Sequence, residues 1–372
     1  MSNMPTILFA GGGSGGHIFP SIAIAQRVAQ LQTHMNIHFV VSNRAIDATI
    51  MADQQYQWTP SPATPLPRNL SQIFSFIGNW KKARKQAATL IRDLDVKAIL
   101  CCGGFVSGAV AAEARRKRIP VILLNLDATP GIANRYLAKR VDMVYTVYKQ
   151  ENWHHAECVG LPLRLEAIGP NDKAQARAAM GLNPNRRTLL IVGGSQSAKS
   201  LNEMILEMMH LSSSSQVMRQ WQFLHISGEE DAPRLEAAYR KTNINAVVLP
   251  FTQKMGLAWR SASVAISRSG AGSVAEVWHN AVPTIFMPYP YHKDQHQVHN
   301  AQPLVEAGAA LMLTDHVDPV ENAHQIINPL TEMMVNKVYR QNMISWMLKT
   351  QPKDGAQIIA RSLLRHTQNP TD

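Results

Sequence analysis

The sequence predicts an α/β protein of two doubly wound, Rossmann-like domains that face each other across a cleft. Apolar, strand-like runs alternate with helical patterns as far as about residue 150, and the alternation restarts after about residue 170. Glycine loops follow strands in both halves, and a chain of 372 residues is long enough for two separate cores. Because open parallel sheets bind ligands at the carboxyl ends of their strands, a cleft between facing sheet ends is implied.

The composition, with 45% apolar residues, is that of a soluble globular protein. Of the net charge of +11, a share of +8 falls in residues 1–163, where 17 Lys and Arg oppose 9 Asp and Glu. We expect that half to be attracted to an anionic surface, and we expect no nucleic acid as a partner. No leader precedes the first strand and no apolar run reaches the roughly 18 residues of a membrane span, which predicts a soluble or peripheral protein.

Three cysteines, Cys101, Cys102 and Cys158, show neither a disulfide pattern nor the spacing of metal ligands. We therefore expect a reducing cytoplasm.

The first predicted strand, Thr6 to Ala10, ends in the glycine loop Gly11 to Gly16, and a helix with His17 in its first turn follows. Glycine lets backbone N–H groups approach a phosphate, and the positive end of the helix dipole favours an anion there. A dinucleotide fingerprint would also need an acidic residue after the second strand, Ile37 to Val41, but Ser42-Asn43-Arg44 follows it. The alternative is a loop that only connects a strand to a helix.

The rest of the first half continues this pattern, with strands predicted at Ala98 to Cys102, Val121 to Leu124 and Val141 to Val147. A loop containing Pro60, Pro62, Pro65 and Pro67 is expected to continue neither a helix nor a central strand.

A helix at about Leu70 to Arg92 carries an apolar stripe that is wider than the usual core-facing stripe. Its apolar residues are Leu70, Ile73, Phe74, Phe76, Ile77 and Trp80, and basic residues Lys81, Lys82, Arg84 and Lys85 follow at once. This pattern predicts attachment to an anionic membrane surface through Phe74, Phe76, Ile77, Trp80, Lys81 and Lys82. The alternative, that the apolar residues serve the core, stays open.

A break at Val159 to Arg164 is interpreted as the hinge between domains 1–163 and 164–344. The strands predicted after it are Thr188 to Val192, Phe223 to Ile226, Ala246 to Leu249, Ser263 to Ser267 and Thr284 to Met287. The C-terminal segment, residues 345–372 with a helix at about Gly355 to Leu364, is expected to pack back on the first domain.

Two further glycine loops, Gly103 to Gly108 and Gly193 to Ala198, also follow predicted strands. With the first loop they predict two phosphate-bearing ligands, one for each domain. None of the three loops has the Lys-Ser/Thr ending of an NTPase loop, so ATP hydrolysis is disfavoured.

Two polar segments of the second half are candidates for ligand contact. The segment Ser267 to Glu276 has the Ser273-x-x-Glu276 spacing of a capping box, but a carboxylate there can also accept both hydroxyls of a ribose. The segment His292 to Asn300 suits the hydroxyls of a sugar, and the spacing of His292 and His296 leaves a weaker zinc alternative.

Taken together, these motifs resemble the MurG family of bacterial glycosyltransferases, which add N-acetylglucosamine (GlcNAc) to a lipid-linked muramyl-peptide in peptidoglycan synthesis. The resemblance covers nearly the whole chain. It rests on GGGSGGHIFP at Gly11 to Pro20, GGFVSG at Gly103 to Gly108, GLPLR at Gly160 to Arg164, GGSQSA at Gly193 to Ala198, Arg268 to Glu276, and HKD at His292 to Asp294.

The resemblance implies a GT-B fold in which the N-terminal domain binds the acceptor and the C-terminal domain binds UDP-GlcNAc. It implies that Ser14, Gly15, Gly16 and His17 lie at the sugar and acceptor end of the cleft. The residues it implies for donor binding are Ser14, Gly15, Gly16, Arg164, Ser195, Thr252, Ala271, Gly272, Ser273, Val274, Ala275, Glu276, His296 and Gln297. Those it implies for the acceptor are Gly103, Gly104, Ser107, Asp127 and Asn134.

By the same resemblance, the partners are UDP-GlcNAc, an undecaprenyl-linked acceptor and the anionic cytoplasmic face of the inner membrane, with roles in cell-wall biogenesis, cell shape and division. No tightly bound cofactor and no metal site is expected, and stimulation by a divalent metal stays open. Three departures from the family are visible: Leu124-Asn125-Leu126-Asp127 stands where the family usually has His-Glu-Gln-Asn, Ser197 stands where glycine is usual, and His296 replaces a glutamine.

The expected reaction transfers GlcNAc with inversion, so that one base takes a proton from the acceptor's 4-hydroxyl. His17 is the expected base, because the positive end of its helix keeps the imidazole neutral, and Asp127 is the rival. The alternatives are another GT-B enzyme, such as a glycolipid glycosyltransferase or a UDP-sugar epimerase, and a non-catalytic subunit that binds UDP-sugars.

Overall fold

A computed structural model of the chain describes residues 4–13, 15–67, 69–150, 152–153, 155–193, 198–211, 216–291 and 295–368. The chain divides into unit 1, Met1–Arg164 with Pro352–Asp372, and unit 2, Leu165–Gln351. The sequence placed the first boundary one residue earlier, so Arg164 belongs to unit 1 rather than to the second domain. It also placed the return to the first domain too early, at residue 345. Met343 and Met347 are buried in the core of unit 2, which keeps the chain there as far as Gln351.

Unit 1 contains a parallel sheet with the strand order β3-β2-β1-β4-β5-β6-β7. Its strands are β1 (Thr6–Ala10), β2 (Asn36–Ser42), β3 (Gln57–Ser61), β4 (Val96–Cys101), β5 (Val121–Asn125), β6 (Met143–Thr146) and β7 (Ala156–Cys158). The helices that cover it are α1 (Gly15–Leu31), α2 (Ala45–Ala52), α3 (Ile73–Asp93), α4 (Gly104–Arg116) and α5 (Ile132–Ala138), with a 3-10 turn at Leu70–Gln72. The strand order reverses between β1 and β4, so their carboxyl ends form the crevice in which such sheets bind ligands.

Unit 2 contains a second parallel sheet, with the order β10-β9-β8-β11-β12-β13. Its strands are β8 (Thr188–Val192), β9 (Gln222–Ile226), β10 (Ala246–Leu249), β11 (Val264–Ser267), β12 (Thr284–Phe286) and β13 (Ala310–Met312). Its helices are α6 (Lys173–Ala179), α7 (Ala198–Leu211), α8 (Gln216–Gln220), α9 (Ala232–Lys241), α10 (Met255–Ser261), α11 (Ala271–Asn280), α12 (His296–Glu306), α13 (Pro319–Val335) and α14 (Lys337–Lys349), with a 3-10 turn at Leu165–Ala167. The reversal here lies between β8 and β11.

The central strands form where the sequence predicts them, because each is a continuous apolar run buried on both faces, as in β1, β5 and β8. The edges differ from the prediction. Pro60, which was assigned to a loop, lies in β3 at the edge of the sheet, where a residue without an N–H is tolerated. The short strands β7 and β13 were not predicted, because three residues leave too little periodicity to detect.

The last helix of the chain, α15 (Gly355–Gln368), packs on α1 within unit 1. Four residues of α15 are fully buried in the same cluster as Ile18 and Ile22 of α1: Ala356, Ile359, Ala360 and Leu363. The backbone of Gly355 lies so close to the carbonyl of Gly160 that a side chain there would overlap it. An ion pair of 3.0 Å between Arg27 Nε and Asp354 Oδ2 holds the start of α15 to α1.

Helix α3 divides its apolar residues between the core and solvent. Ala83, Ala87 and Ile91 are buried, whereas Phe74 is 86% exposed and Ile77 is 44% exposed. Phe76 and Trp80 are half-buried, and Lys81 and Lys82 are exposed. The start of α3 thus exposes apolar side chains and its later turns pack in the core, and attachment to a membrane stays a prediction. Among the described residues, no helix combines the length and apolar character needed to span a bilayer.

Candidate active site

The first glycine loop of unit 1 is held by an aspartate that the sequence did not single out. Asp47 Oδ2 accepts hydrogen bonds from the Gly13 N–H at 2.7 Å, the Ser42 N–H at 3.0 Å and the Ser42 hydroxyl at 2.6 Å. A Cβ on Gly12 would lie 2.5 Å from the same oxygen, and Gly13 has a φ of +93°, so this path requires glycine. The N–H of Gly13 therefore faces a carboxylate of the chain itself rather than a ligand phosphate, which corrects the prediction for this amide.

The sequence offered one indication of this role: Asp47 is an acidic residue that lies five positions after the end of β2. A carboxylate that binds a ribose would directly follow that strand, so the dinucleotide fingerprint does not point to Asp47. Arg44 completes the support, because its guanidinium donates to the Gly13 carbonyl at 2.7 Å. Ser14 lies outside the described residues, and Gly15 begins α1.

His17 is the third residue of α1, so its predicted place at a helix N-terminus is confirmed. The pKa of His17 is lowered from the ordinary value of 6.5 mainly because the ring is buried, while the carboxylates of Asp127 and Asp47 act against that shift. The sequence attributed a neutral ring to the helix dipole, and the structure adds burial of the ring as a cause. A neutral imidazole can accept a proton near neutral pH.

The second glycine loop begins α4 with left-handed backbone at Gly103 (φ +86°) and Gly104 (φ +75°). The Ser107 hydroxyl, predicted to contact the acceptor, is buried and donates to the carbonyls of Gly103 at 2.7 Å and Ala10 at 2.9 Å. Ser107 therefore ties α4 to the end of β1, and its hydroxyl is not exposed to an acceptor.

Asn134 and Asp127 lie beyond the end of β5. The Asn134 amide N–H donates to Asn125 Oδ1 at 2.8 Å, and Asn125 in turn donates to the Asp127 carbonyl at 2.6 Å. Asn134 is buried, and its Oδ1 has no hydrogen-bond partner among the described residues. Asp127 itself is exposed. These two hydrogen bonds fix the path of the backbone after β5 and leave the Asp127 carboxylate at the surface of the site.

Unit 1 contains a cavity of roughly 860 Å³ that is lined by His17, Gly104, Asp127 and Asn134. Most of its other lining residues are apolar: Pro65, Leu66, Phe76, Trp80, Phe105, Ala111, Ala112, Ile132, Ala133, Leu137 and Val141. The structure thus brings the expected base, its rival and two of the expected acceptor residues to one cavity. Arg164, expected at the donor phosphates, lies in unit 1 with its guanidinium 4.4 Å from the centre of the Phe19 ring.

In unit 2, α11 begins at Ala271 after Gly270, so Gly270 and not Ser273 is the N-cap. This position excludes the capping-box interpretation of Ser273 and Glu276. Glu276 is half-buried, and its Oε2 accepts a hydrogen bond of 2.6 Å from the indole N–H of Trp259. The remaining expected donor residues of this segment, Ala271, Gly272, Ser273, Val274 and Ala275, form the first turns of α11. The N–H groups of Ala271, Gly272 and Ser273 lie at the start of the helix, where helical partners are lacking, whereas the Val274 N–H already donates to the Gly270 carbonyl at 3.0 Å.

A buried ion pair joins Asp315 to Arg268, which lies three residues before the start of α11. The Arg268 guanidinium contacts Asp315 Oδ2 at 2.8 Å, and the two side chains are 4% and 0% exposed. Ser200 of α7 donates to the same carboxylate oxygen at 2.7 Å, and Arg268 donates to the Met287 carbonyl at 2.8 Å. The pair links the ends of β11 and β12 to α7, the helix that follows the third glycine loop.

The remaining expected donor residues are in different environments. Gln297 is buried in α12, where its Oε1 accepts from the Tyr289 N–H at 2.9 Å, and His296, the first residue of that helix, is exposed. The Thr252 hydroxyl accepts from the Lys254 N–H at 3.1 Å, next to a Phe251 that is 69% exposed. Ser195 and the HKD segment, residues 292–294, lie outside the described residues.

Within the part of the chain that the structure describes, no group of three or more His, Cys, Asp or Glu side chains could hold a metal ion. His292, the first member of the weaker zinc alternative, lies outside that part.

Family models match both units of the chain. The glycosyltransferase family 28 N-terminal domain matches residues 7–146, and the glycosyltransferase family 28 C-terminal domain matches residues 188–359. Similar curated proteins carry the name UDP-N-acetylglucosamine–N-acetylmuramyl-(pentapeptide) pyrophosphoryl-undecaprenol N-acetylglucosamine transferase. The one from Halothermothrix orenii is 29% identical, over 97% of this chain and 98% of its own. The one from Thermobifida fusca is 30% identical, over 83% of this chain and 81% of its own.

Solved structures agree on the fold. MurG from Acinetobacter baumannii superposes with a TM-score of 0.71 at 24% identity, over 97% of this chain and 99% of the other. A putative UDP-N-acetylglucosamine 2-epimerase from Listeria monocytogenes has a TM-score of 0.62 at 10% identity, over 100% of this chain and 98% of the other, which shows a shared fold only. The predicted GT-B fold is confirmed, and the chain belongs to the MurG family of N-acetylglucosamine transferases within glycosyltransferase family 28.

Proposed function

We propose that this chain transfers GlcNAc from UDP-GlcNAc to the 4-hydroxyl of MurNAc-pentapeptide linked through a diphosphate to undecaprenol. The observation that carries the proposal is the position of His17, half-buried at the start of α1, in the same cavity as the Asp127 carboxylate. Forming a β-1,4 linkage from an α-linked donor inverts the anomeric carbon, so a single base is sufficient. His17 is the base, because burial favours its neutral form.

Unit 2 binds the donor in this proposal. The first N–H groups of α11 stabilise the diphosphate as it leaves, since the start of a helix offers unpaired donors and a positive dipole end. Glu276 accepts the ribose hydroxyls, with its carboxylate oriented by the Trp259 indole. Glu276 is held in place by a residue of a neighbouring helix, which supports a ligand-binding role over a capping role.

The reaction as proposed needs no tightly bound cofactor. The proposal assigns the remaining stabilisation of the leaving diphosphate to Arg164 and Ser195, as the family resemblance implies. Adding and chelating Mg²⁺ during turnover tests whether a divalent ion stimulates the transfer.

Unit 1 attaches to the cytoplasmic face of the inner membrane through the start of α3, where the lipid-linked acceptor is embedded. Phe74 and Ile77 are exposed apolar side chains, and Lys81 and Lys82 follow them on the same helix. Such a combination binds anionic lipid surfaces through burial of apolar groups and attraction of charge.

The direct test is transfer of labelled GlcNAc from UDP-GlcNAc to purified undecaprenyl-linked MurNAc-pentapeptide, with the disaccharide product identified by mass spectrometry. We expect product with the parent chain and little with His17→Ala, which should still bind the donor. Acceptor-independent conversion of UDP-GlcNAc to another UDP-sugar in water would indicate an epimerase instead. Binding of UDP-GlcNAc without any turnover would indicate a non-catalytic subunit.

A further inference from the structure

The cavity that contains His17 continues along one face of α4 as an open groove. Its floor is formed by Gly104, Phe105, Gly108, Ala111, Ala112 and Arg115 of that helix, and all of these except Arg115 are small or apolar. These positions recur at helical spacing, so they share one face from the first turn of α4 to its last. At a rise of about 1.5 Å per residue, the groove runs for roughly 17 Å away from the carboxyl edge of the sheet.

The walls of the groove come from the helices on either side of α4. Phe76 and Trp80 of α3 form one wall, with their rings 6.2 Å apart, and the Trp80 ring lies so close to Gly108 that a Cβ there would be 3.2 Å away. Helix α5 forms the other wall with Ile132, Ala133, Tyr136 and Leu137. Ala111 and Leu137 are buried, whereas the residues at the rim are open to solvent.

The rim carries large apolar side chains that face water in the isolated chain. Leu66 is 54%, Ile132 is 61% and Tyr136 is 59% exposed, and all three line the groove. Exposed apolar patches of this kind mark sites that bind lipids or other apolar partners. The exposed Phe74 and Ile77 lie on the same helix as Phe76 and Trp80, which places the rim beside the predicted membrane face.

The charged lining residues lie at the two ends of the groove, and its middle is apolar. Arg115 and Arg140 line its far end, and Asp127 beside His17 is its only carboxylate among the described lining residues. The Arg140 guanidinium lies over the Tyr136 ring, 3.8 Å from its centre. The Arg115 side chain forms no ion pair or hydrogen bond with the described part of the chain, so its charge is available to a charged lipid surface.

We propose that this groove binds the first isoprene units of the acceptor's lipid chain, so that unit 1 recognises the lipid as well as the sugar. The proposal rests on the proposed function, because the sugar must lie at His17 for its chain to enter the groove. It separates the four apolar residues expected at the membrane into two pairs. Phe74 and Ile77 contact the bilayer, while Phe76 and Trp80 contact the isoprenoid of the bound acceptor.

The test compares soluble acceptors that carry a tetraprenyl or a single prenyl group on the MurNAc-peptide diphosphate, without membranes. With the parent chain we expect kcat/KM to be at least tenfold higher for the tetraprenyl acceptor, since burying more hydrocarbon in the groove strengthens binding. Ala112→Trp fills the middle of the groove and should reduce this ratio about tenfold. Thr89→Trp, an exposed position on α3 outside the groove, is the matched control and should preserve the ratio.

The outcomes separate this proposal from the proposed function. If neither acceptor is glycosylated by the parent chain, the proposed function has failed. If both are glycosylated with equal kcat/KM, or if Ala112→Trp preserves the preference, the groove does not bind the isoprenoid.

A binding measurement on the parent chain keeps the test independent of how well the variant folds. A tetraprenyl diphosphate with a photoreactive diazirine in its chain should label the tryptic peptides that cover α4 or α5, residues 98–115, 119–135 and 136–139. Labelling confined to the peptide with Phe74 and Ile77 would overturn the proposal. Unlabelled tetraprenyl diphosphate should compete with this labelling. If a saturated alkyl diphosphate of the same length competed equally well, the assignment to an isoprenoid would be overturned.

Discussion

The indole N–H of Trp259 and the carboxylate of Glu276 form a hydrogen bond of 2.6 Å between α10 and α11. Trp259 is fully buried in the core of unit 2, so the donor is fixed by packing. The carboxylate is therefore held in one orientation at the second turn of α11, beside the helix start that we propose as the diphosphate site. Preorganised groups of this kind bind a ligand without the cost of ordering a mobile side chain.

Glu276→Ala should weaken UDP binding roughly tenfold or more, because a half-buried diol left without its acceptor costs on the order of 1 to 3 kcal/mol. Isothermal titration calorimetry measures this affinity directly. Glu203→Ala is the matched control, since Glu203 is also a helical glutamate with a partner, Arg234, and lies in α7. Unchanged UDP affinity with a lower melting temperature would assign Glu276 a purely structural role.

His17→Ala should lower kcat by about 100-fold or more with little change in donor affinity, as expected for loss of a general base. Single-turnover measurements with saturating donor isolate this step. Asp127→Asn decides between the two candidates for the base. If Asp127→Asn abolishes turnover while His17→Ala retains most of it, then Asp127 is the base.

The pH dependence of kcat/KM should have its acid limb below the ordinary histidine pKa of 6.5, because burial lowers the pKa of His17. A base acts only when it is deprotonated, so activity falls as the pH drops through that lowered pKa. Since the Asp127 carboxylate raises the pKa of His17, Asp127→Asn should move the limb to still lower pH. A shift of the limb to higher pH in this variant contradicts the proposed coupling.

Membrane attachment should depend on the exposed part of α3. Phe74→Ser with Lys81→Glu and Lys82→Glu should lose flotation with anionic vesicles and retain UDP binding, because none of these side chains is buried. The same charge changes placed on Lys337 and Lys349, at the two ends of α14 in unit 2, serve as the control. Equal flotation of the α3 variant and the parent would show that another surface binds the membrane.

Removing the carboxylate of Asp315 should destabilise unit 2 by about 3 to 5 kcal/mol, because it leaves the buried Arg268 guanidinium without its partner. Urea unfolding of Asp315→Ala, followed by tryptophan fluorescence, measures this loss. Arg240→Ala breaks an exposed pair with Glu236 and should change stability by no more than about 1 kcal/mol. Equal effects of the two variants would mean that burial adds nothing to the first pair.

The sequence predicted the central strands and the strand-to-helix glycine loops after β1 and β4 because these depend on local patterns. A parallel strand buried on both faces must be continuously apolar, and a left-handed turn such as that at Gly103 favours glycine. The contact between Asp47 and Gly13 was not predictable in the same way, since 34 residues separate its partners and only the pairing of β1 with β2 brings them together. The groove along α4 depends on three helices, and a sequence pattern shows only one of them at a time.

The position of α15 in unit 1 sets an order for the folding of the chain during its synthesis. Unit 2 is one continuous segment and can complete its core as soon as Gln351 has left the ribosome. Unit 1 cannot, because the side of α1 that Ile359, Ala360 and Leu363 cover stays exposed to water until α15 has emerged as well. A chain truncated after Gln351 and released from the ribosome should therefore carry a protease-resistant second domain and a protease-sensitive first one, although the first was translated earlier.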